Sequence, residues 1–260
     1  MSDRVAVVVG AGGTIGGACA VRLAADRDLV LCADLSAERT ARTMDAIVRA
    51  GGRAEAVVAD AAEADFAGQV TAAVPSGAAV TAVVHAVAYE EHVPSDKATR
   101  ESLERSFAVG PLAAFTLFRG LRAAGHLRRG SALTAVGSLH ATYPFANCLA
   151  YNAAHGALAQ VVRTLAHEWA ADGIRVNAVV PGWIRTDAEV AFYGEAHLDR
   201  VAGSLPLGRF GTGEDIAQAV AYLCSEQAAY VSGSFLTVDG ALGASLARLT
   251  GGGENEGSLP

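Results

Sequence analysis

Val5-Ala6-Val7-Val8-Val9-Gly10-Ala11-Gly12-Gly13-Thr14-Ile15-Gly16-Gly17 is the stretch on which the fold turns. The apolar run from Arg4 to Val9 is short and β-branched, as a strand buried on both faces should be. The glycine turn then enters a helical pattern carried by Cys19, Leu23 and Ala24. Strand, turn and helix together form a phosphate cradle. Glycines let backbone approach a pyrophosphate, and the helix N-terminus offers free N–H groups and a positive dipole end. Gly10, Gly12, Gly13, Thr14, Ile15 and Gly16 are the candidate contacts.

The next apolar run starts at Leu29 and ends at Asp34, about 20 residues beyond the turn. A carboxylate there accepts ribose hydroxyls and repels a 2′-phosphate, and neither Thr14, Leu35 nor Ser36 supplies a basic group. The reading is NAD(H) in preference to NADP(H). Asp34 as the cap of a helix starting near Ala37 is the plainer alternative.

Farther along, a helix over residues 36–50 leads to a strand over 54–59. Asp60 closes it, either touching an adenine edge or capping the next helix. A strand over 80–87 carries His85, expected to be a satisfied core residue. Glu90, Glu91 and His92 then begin a loop; their spacing matches no metal-ligand signature, so they are expected to face solvent, with no metal bound. Residues 96–125 read as one long helix whose Leu103, Phe107, Leu112, Phe115, Phe118 and Leu121 form a stripe for core and subunit contact. Strands follow at 131–136, 174–180 and Phe235–Val238, with a last helix at 214–224. After the Pro181-Gly182 break, residues 183–209 contain short helical pieces at 188–192 and 196–201 and are placed to act as a lid. Alternating strands and helices predict an α/β fold, a single-domain doubly wound parallel sheet over residues 1–250. Residues 251–260, rich in Gly and Glu, are expected to form a flexible tail.

Composition narrows the class. The chain has 260 residues, 52% hydrophobic, with a formal net charge of −7. Its Lys and Arg show no stripe, which excludes a nucleic-acid partner. Cys19, Cys32, Cys148 and Cys224 are far apart, with no CxxC pair and no His at ligand spacing; they read as reduced, small hydrophobes. No apolar segment reaches the ~18 residues of a membrane span, and the N-terminus lacks a signal-peptide pattern, so a soluble cytoplasmic protein is expected.

Chemistry concentrates between Ser138 and His155. Ser138 follows the strand ending near Val136, and Tyr151 opens a helix continued by Leu158, Val162, Leu165 and Trp169. Side chains four apart share a helix face, so Tyr151 and His155 address one volume. A hydroxyl, a phenol and an imidazole make a proton-handling site. His140, Tyr143, Phe145, Trp183, Phe192 and Tyr193 are candidate pocket residues, suggesting a small apolar or aromatic substrate.

Four passages carry a resemblance to the short-chain dehydrogenase/reductase family, spanning Arg4 to about Gly243. The Gly10 to Gly16 turn resembles TGxxxGxG. Ser138 stands thirteen positions before Tyr151, the family's usual serine–tyrosine separation. Residues 174–182 with Thr186 resemble IRVNxVxPGxxxT. Residues 206–211, 230–233 and 238–240 resemble PLGRFG, YxTG and VDGG. The resemblance implies a Rossmann-type fold, NAD-linked carbonyl/alcohol interconversion and a homotetramer (or homodimer). It makes Tyr151 the general acid/base and Ser138 the group polarising the substrate oxygen. It also places Ala86, Tyr151, His155, Pro181, Gly182, Ile184 and Thr186 on the nucleotide.

The departures from the family's pattern are local. His155 occupies the lysine of YxxxK. Phe107, or Ser106 beside it, occupies the helix asparagine. His85-Ala86-Val87-Ala88 replaces NNAG. Val9 and Thr14 alter the glycine turn, while Gly10, Gly13 and Gly16 fit the GxxGxxG of the extended branch. With imidazole near its usual pKa of about 6.5 and no lysine cation, Tyr151 is expected near its ordinary value of about 10, better as an acid than a base. Three accounts fit. His155 substitutes for lysine, protonated or as a relay; Ser138 and Tyr151 serve non-redox chemistry such as dehydration or isomerisation; or the chain binds NAD without turnover, in a silent or regulatory role.

Overall fold

The computed structural model describes residues 4–248; the proposed tail lies outside them. Seven parallel strands form one sheet in the order β3-β2-β1-β4-β5-β6-β7. They are β1 (Arg4–Val9), β2 (Leu29–Asp34), β3 (Ala54–Val58), β4 (Ala79–His85), β5 (Ala132–Val136), β6 (Arg175–Pro181) and β7 (Phe235–Val238). The helices are α1 (Thr14–Ala24), α2 (Ala37–Arg49), α3 (Phe66–Ala72), α4 (Arg100–Phe107), α5 (Ala113–Ala123), α6 (Leu149–Glu168), α7 (Asp187–Tyr193), α8 (Glu195–Ala202), α9 (Gly213–Leu223) and α10 (Leu242–Arg248).

The apolar residues of β1 and β2 face two cores. Val5, Val7 and Val9 pack with Leu117, Phe118 and Leu121 of α5 and Leu158 of α6. Ala6 and Val8 pack on the other face with Leu23 of α1 and Ile216 and Val220 of α9. Burial on both faces explains why these strands are continuous apolar runs. Each large side chain so enclosed contributes roughly 1.5–3 kcal/mol. The strand order reverses between β1 and β4, opening a crevice at their carboxyl ends where such sheets bind ligands.

Some expected boundaries shift. β4 ends two residues before Val87, because Ala86 N–H still reaches the Val9 carbonyl (3.0 Å) while the chain then turns away. Tyr151 is the third residue of α6, after Leu149 and Ala150, and does not open the helix. Residues 96–125 are not one regular helix. Ala108–Leu112 forms a π-turn between α4 and α5, with Pro111 inside it; proline lacks the N–H of an α-helical bond and crowds the preceding turn. The apolar stripe is correspondingly split. Phe118 and Leu121 are buried, whereas Leu112 and Phe115 point outward.

The family-like passages at the end of the chain prove to be braces. Asn177 on β6 donates to the Val231 carbonyl (2.9 Å) and accepts from Ser234 N–H (3.0 Å). The Arg175 guanidinium donates to the carbonyls of Leu223 and Ser225. Arg209 pairs with Asp215, the capping-box residue of α9, at 2.7 Å, and holds its carboxyl down at about 2. Among the described residues, no helix is long and apolar enough to cross a membrane.

Candidate active site

A cleft of about 910 Å³ runs along the carboxyl ends of the strands, from the glycine turn past Ser138 and Tyr151 to Trp183 and the start of α7. A larger hollow, about 1430 Å³, lies at the opposite edge, lined by Arg4, Arg27, Arg128 and Arg175. The crevice rule for open α/β sheets selects the first.

At its nucleotide end the backbone leaves no room for side chains. Gly10 has φ +82°, and a Cβ there would stand 2.6 Å from the Ala86 carbonyl oxygen; a Cβ on Gly16 would collide with the Gly10 carbonyl. Both glycines are therefore demanded by packing. Gly12, Gly13, Thr14, Ile15, Gly16, Ala86, Pro181, Gly182, Ile184 and Thr186 all line the cleft, as the sequence suggests. Asp34, the last residue of β2, is buried. It accepts from Gly12 N–H (3.0 Å) and Ser36 N–H (2.9 Å). The cap of α2 is Ser36, accepting from Arg39 N–H, not Asp34. Asp60 is withdrawn into its own turn, accepting from Ala62 N–H (2.8 Å), and is absent from the cleft wall. It does not cap α3, whose first turn follows Asp65.

Sequence reasoning missed Arg39. It lies on the first turn of α2, five residues after Asp34, with its guanidinium 3.4 Å from the Asp34 carboxylate and against the cleft. A helical turn brings it back over the strand end, so inspecting only Leu35 and Ser36 could not find it.

Ser138 sits in the bend after β5, its Oγ accepting from His140 N–H (3.2 Å) and so leaving its own O–H to donate. Tyr151 and His155 lie one turn apart with ring centroids 4.3 Å apart and their planes tilted by 57°. His140 packs edge-on to Tyr151 and flat on Phe145, and its Nδ1 lies 2.7 Å from Asn152 Oδ1. The carboxamide oxygen accepts, so Nδ1 carries the proton and Nε2 stays an acceptor. Burial holds the His140 pKa below its usual value.

Two electrostatic expectations are corrected here. Burial, with smaller effects from His140 and His85, holds His155 down at about 3, so it is neutral. It cannot be a protonated stand-in for lysine; its Nδ1 makes no hydrogen bond. Tyr151 does not stay near its ordinary pKa. Burial first, then the Glu90 carboxylate, pushes the phenol up, and the Ser138 hydroxyl only partly opposes this. His85 departs from a satisfied core residue as well: it is fully buried, neither ring nitrogen makes a hydrogen bond, and desolvation holds it down at about 4. At the asparagine position it is Ser106 that turns inward, donating to the Tyr89 carbonyl (2.9 Å).

Beyond Gly182, Thr186 Oγ1 accepts from Glu189 N–H and caps α7. Trp183 Nε1 donates to the Glu189 carboxylate (2.8 Å) and its ring contacts Tyr193 and Phe210. His140, Phe145, Trp183 and Tyr193 line the cleft; Tyr143 and Phe192 do not. Phe192 is exposed and packs on His92.

In the loop after β4, Glu90 and His92 are exposed as expected, and they also line the mouth of the cleft. Glu91 accepts from Ser102 Oγ, but Glu90 and His92 turn the other way, toward Cys148 and the cleft. Cys148 is thus not an isolated thiol: its Sγ lies 3.9 Å from Glu90 Oε1.

Comparison with known proteins decides the lineage. The family model described as Enoyl-(Acyl carrier protein) reductase matches residues 10–242. Cyclohexanol dehydrogenase of an Acinetobacter species is 33% identical over 246 residues, 92% of this chain and 95% of that protein. The chain belongs to the short-chain dehydrogenase/reductase family. Within that family, 3beta-hydroxysteroid dehydrogenase 1 of Eggerthella lenta is 32% identical, covering 93% of this chain and 94% of its own. A variant of actinorhodin polyketide ketoreductase solved with NADPH superposes with a TM-score of 0.86 at 25% identity, covering 94% of this chain and 99% of that one. The chain is accordingly a short-chain oxidoreductase acting on alcohols or carbonyls, and its Gly-rich cradle, with no space for a Cβ at Gly10, Gly12 or Gly16, fits a pyridine nucleotide.

Proposed function

We propose that this enzyme uses NAD(H) to reduce the carbonyl of a small apolar or aromatic, ring-containing substrate. The observation that carries the direction is Tyr151: a phenol with its pKa raised, beside a neutral imidazole and with no lysine or arginine at hand. At neutral pH it keeps its proton. A protonated phenol can give that proton to the oxygen on which negative charge develops as a hydride arrives, whereas taking a proton from an alcohol would require the phenolate. The nucleotide supplies the hydride. Ser138 donates a hydrogen bond to the same oxygen, which stabilises the developing alkoxide. His155 buttresses the phenol, its ring centroid 4.3 Å from that of Tyr151. Phe145, Trp183 and Tyr193 favour an apolar substrate, in keeping with the cyclohexanol and 3β-hydroxysteroid activities named for two relatives.

The nucleotide preference rests on Asp34 and Arg39 together. Asp34 repels a 2′-phosphate, but Arg39 partly neutralises it, so the margin in favour of NAD(H) is narrow, and NADPH in a structural neighbour accords with this. Outward-facing Leu112 and Phe115 on the α5 side favour assembly into a homotetramer through the long helices. The test is a panel of cyclic ketones and the matching alcohols, followed at the nicotinamide absorbance near pH 7 with each nucleotide. Ketone reduction should outpace alcohol oxidation, with NADH ahead of NADPH. Product formed without nucleotide consumption, or nucleotide binding without turnover anywhere in the panel, overturns the reading.

A further inference from the structure

Three dissimilar donors from two separate segments meet at the mouth of the cleft. Glu90 and His92 are alternate residues of an extended loop, so their side chains share one side. Cys148 immediately precedes α6 and is brought alongside by a short parallel pairing, with Val93 N–H donating to the Asn147 carbonyl (2.8 Å). Two interactions converge on a single atom, Glu90 Oε1: His92 Nε2 at 3.0 Å and Cys148 Sγ at 3.9 Å. One ligand atom from each residue lies within 4.8 Å of the others.

We propose that Glu90, His92 and Cys148 bind a zinc-type divalent cation. Carboxylate, imidazole and thiolate hold such ions at about 2.0–2.3 Å in tetrahedral geometry, which sets donor separations of roughly 3.3–3.7 Å. The observed separations need shifts of about 1 Å or less from side chains in a loop and at a helix end. Coordination replaces the two present hydrogen bonds. The thiol proton leaves to solvent, and the imidazole stays neutral with its proton on the other nitrogen.

Charge supplies an independent argument. Glu90 and Glu189 both line this end of the cleft, and two carboxylates facing one space call for a counter-charge. Among the described residues lining the cleft, Arg39 is the only arginine or lysine, and it is at the adenosine end. A cation between Glu90 and Cys148 meets that demand. Glu90 and His92 are each about one-third exposed, which gives the ion an entry path. Three protein ligands leave a fourth position for water or an oxygen of a bound substrate.

The inference does not depend on the hydride-transfer reading. The test uses the full-length, metal-stripped protein titrated with cobalt(II). One equivalent should bind, with a near-ultraviolet thiolate-to-cobalt absorption that zinc abolishes by displacement. Cys148→Ser should remove the band. Glu90→Gln and His92→Ala should each weaken binding by more than the ~10-fold that loss of an outer partner costs. No binding up to about millimolar cobalt or zinc, or a band intact in Cys148→Ser, overturns the proposal. Should Cys148→Ser fail to fold, unaltered affinity in Glu90→Gln and His92→Ala, both partly exposed, overturns it equally. NADH fluorescence measured on the same samples reports the nucleotide end separately, so failure of one reading is not mistaken for failure of the other.

Discussion

The two ends of the cleft are built on opposite plans. The nucleotide end is made of backbone: glycines at 10 and 16 leave no volume for a methyl group, and Asp34 is clamped by two N–H groups. The reaction end is made of side chains packed ring against ring, with Tyr151 touching both His140 and His155 and no lysine or arginine among them. A backbone cradle tolerates little drift, because each residue's shape is set by its neighbours. A side-chain site can change its electrostatics one residue at a time while the fold is untouched. The departures that change charge at the reacting groups are at the second end, whereas Val9 and Thr14 alter the glycine turn without displacing Gly10, Gly13 and Gly16.

Experiments that set the two ends against each other follow in order of effect. Tyr151→Phe should reduce ketone turnover by about 10²–10⁴-fold, the usual worth of a general acid, while NADH affinity is retained. Turnover within a few-fold of wild type would remove the phenol from the mechanism.

The buried histidines make the reaction end sensitive to acid. His155 and His85 are held down at about 3 and about 4, against an unfolded value near 6.5. Between pH 6.5 and those values the unfolded chain binds the extra protons, so stability is full above about pH 6.5 and falls as the pH drops. Each histidine contributes roughly 1.4 kcal/mol per pH unit. Urea unfolding across pH 4–7 should show this slope, and His155→Leu should lessen it by one proton; an unchanged slope would mean that His155 is charged or exposed.

His155→Lys tests the contrast most directly. A cation beside the phenol lowers its pKa by about 1–3 units, so alcohol oxidation near pH 8 should rise by about tenfold or more while reduction changes little. No gain would assign His155 a purpose other than replacing lysine. The smallest effect belongs to the nucleotide end. Arg39→Ala should cost NADPH about two- to fivefold in KM, within the range for a partly exposed charge contact, and leave NADH nearly unchanged; equal losses would place Arg39 away from the 2′-position.

What could be read in the sequence follows the same division. The glycine turn, the buried strands and the strand-to-helix alternation are local patterns, and the sheet confirms them almost residue by residue. Arg39 escaped notice because it reaches Asp34 through a helical turn. The meeting of Cys148 with Glu90, 58 positions away in the chain, depends on the pairing of Val93 with Cys148, which no local spacing encodes. The neutrality of His155 comes from the ring stack and core around it, and an isolated imidazole value could not show it. Pro111 was visible, but the π-turn it imposes, and the outward rotation of Leu112 and Phe115 that follows, belong to packing.

One small contact joins the two ends. Thr14 Oγ1, in the glycine turn, accepts the Asp187 N–H at the start of α7 (3.2 Å). A nucleotide settling on the turn therefore lies beside the start of α7. Steady-state kinetics should show compulsory order, with coenzyme adding first and departing last. Thr14→Val, which keeps the shape and removes the acceptor, should relax that order toward random addition.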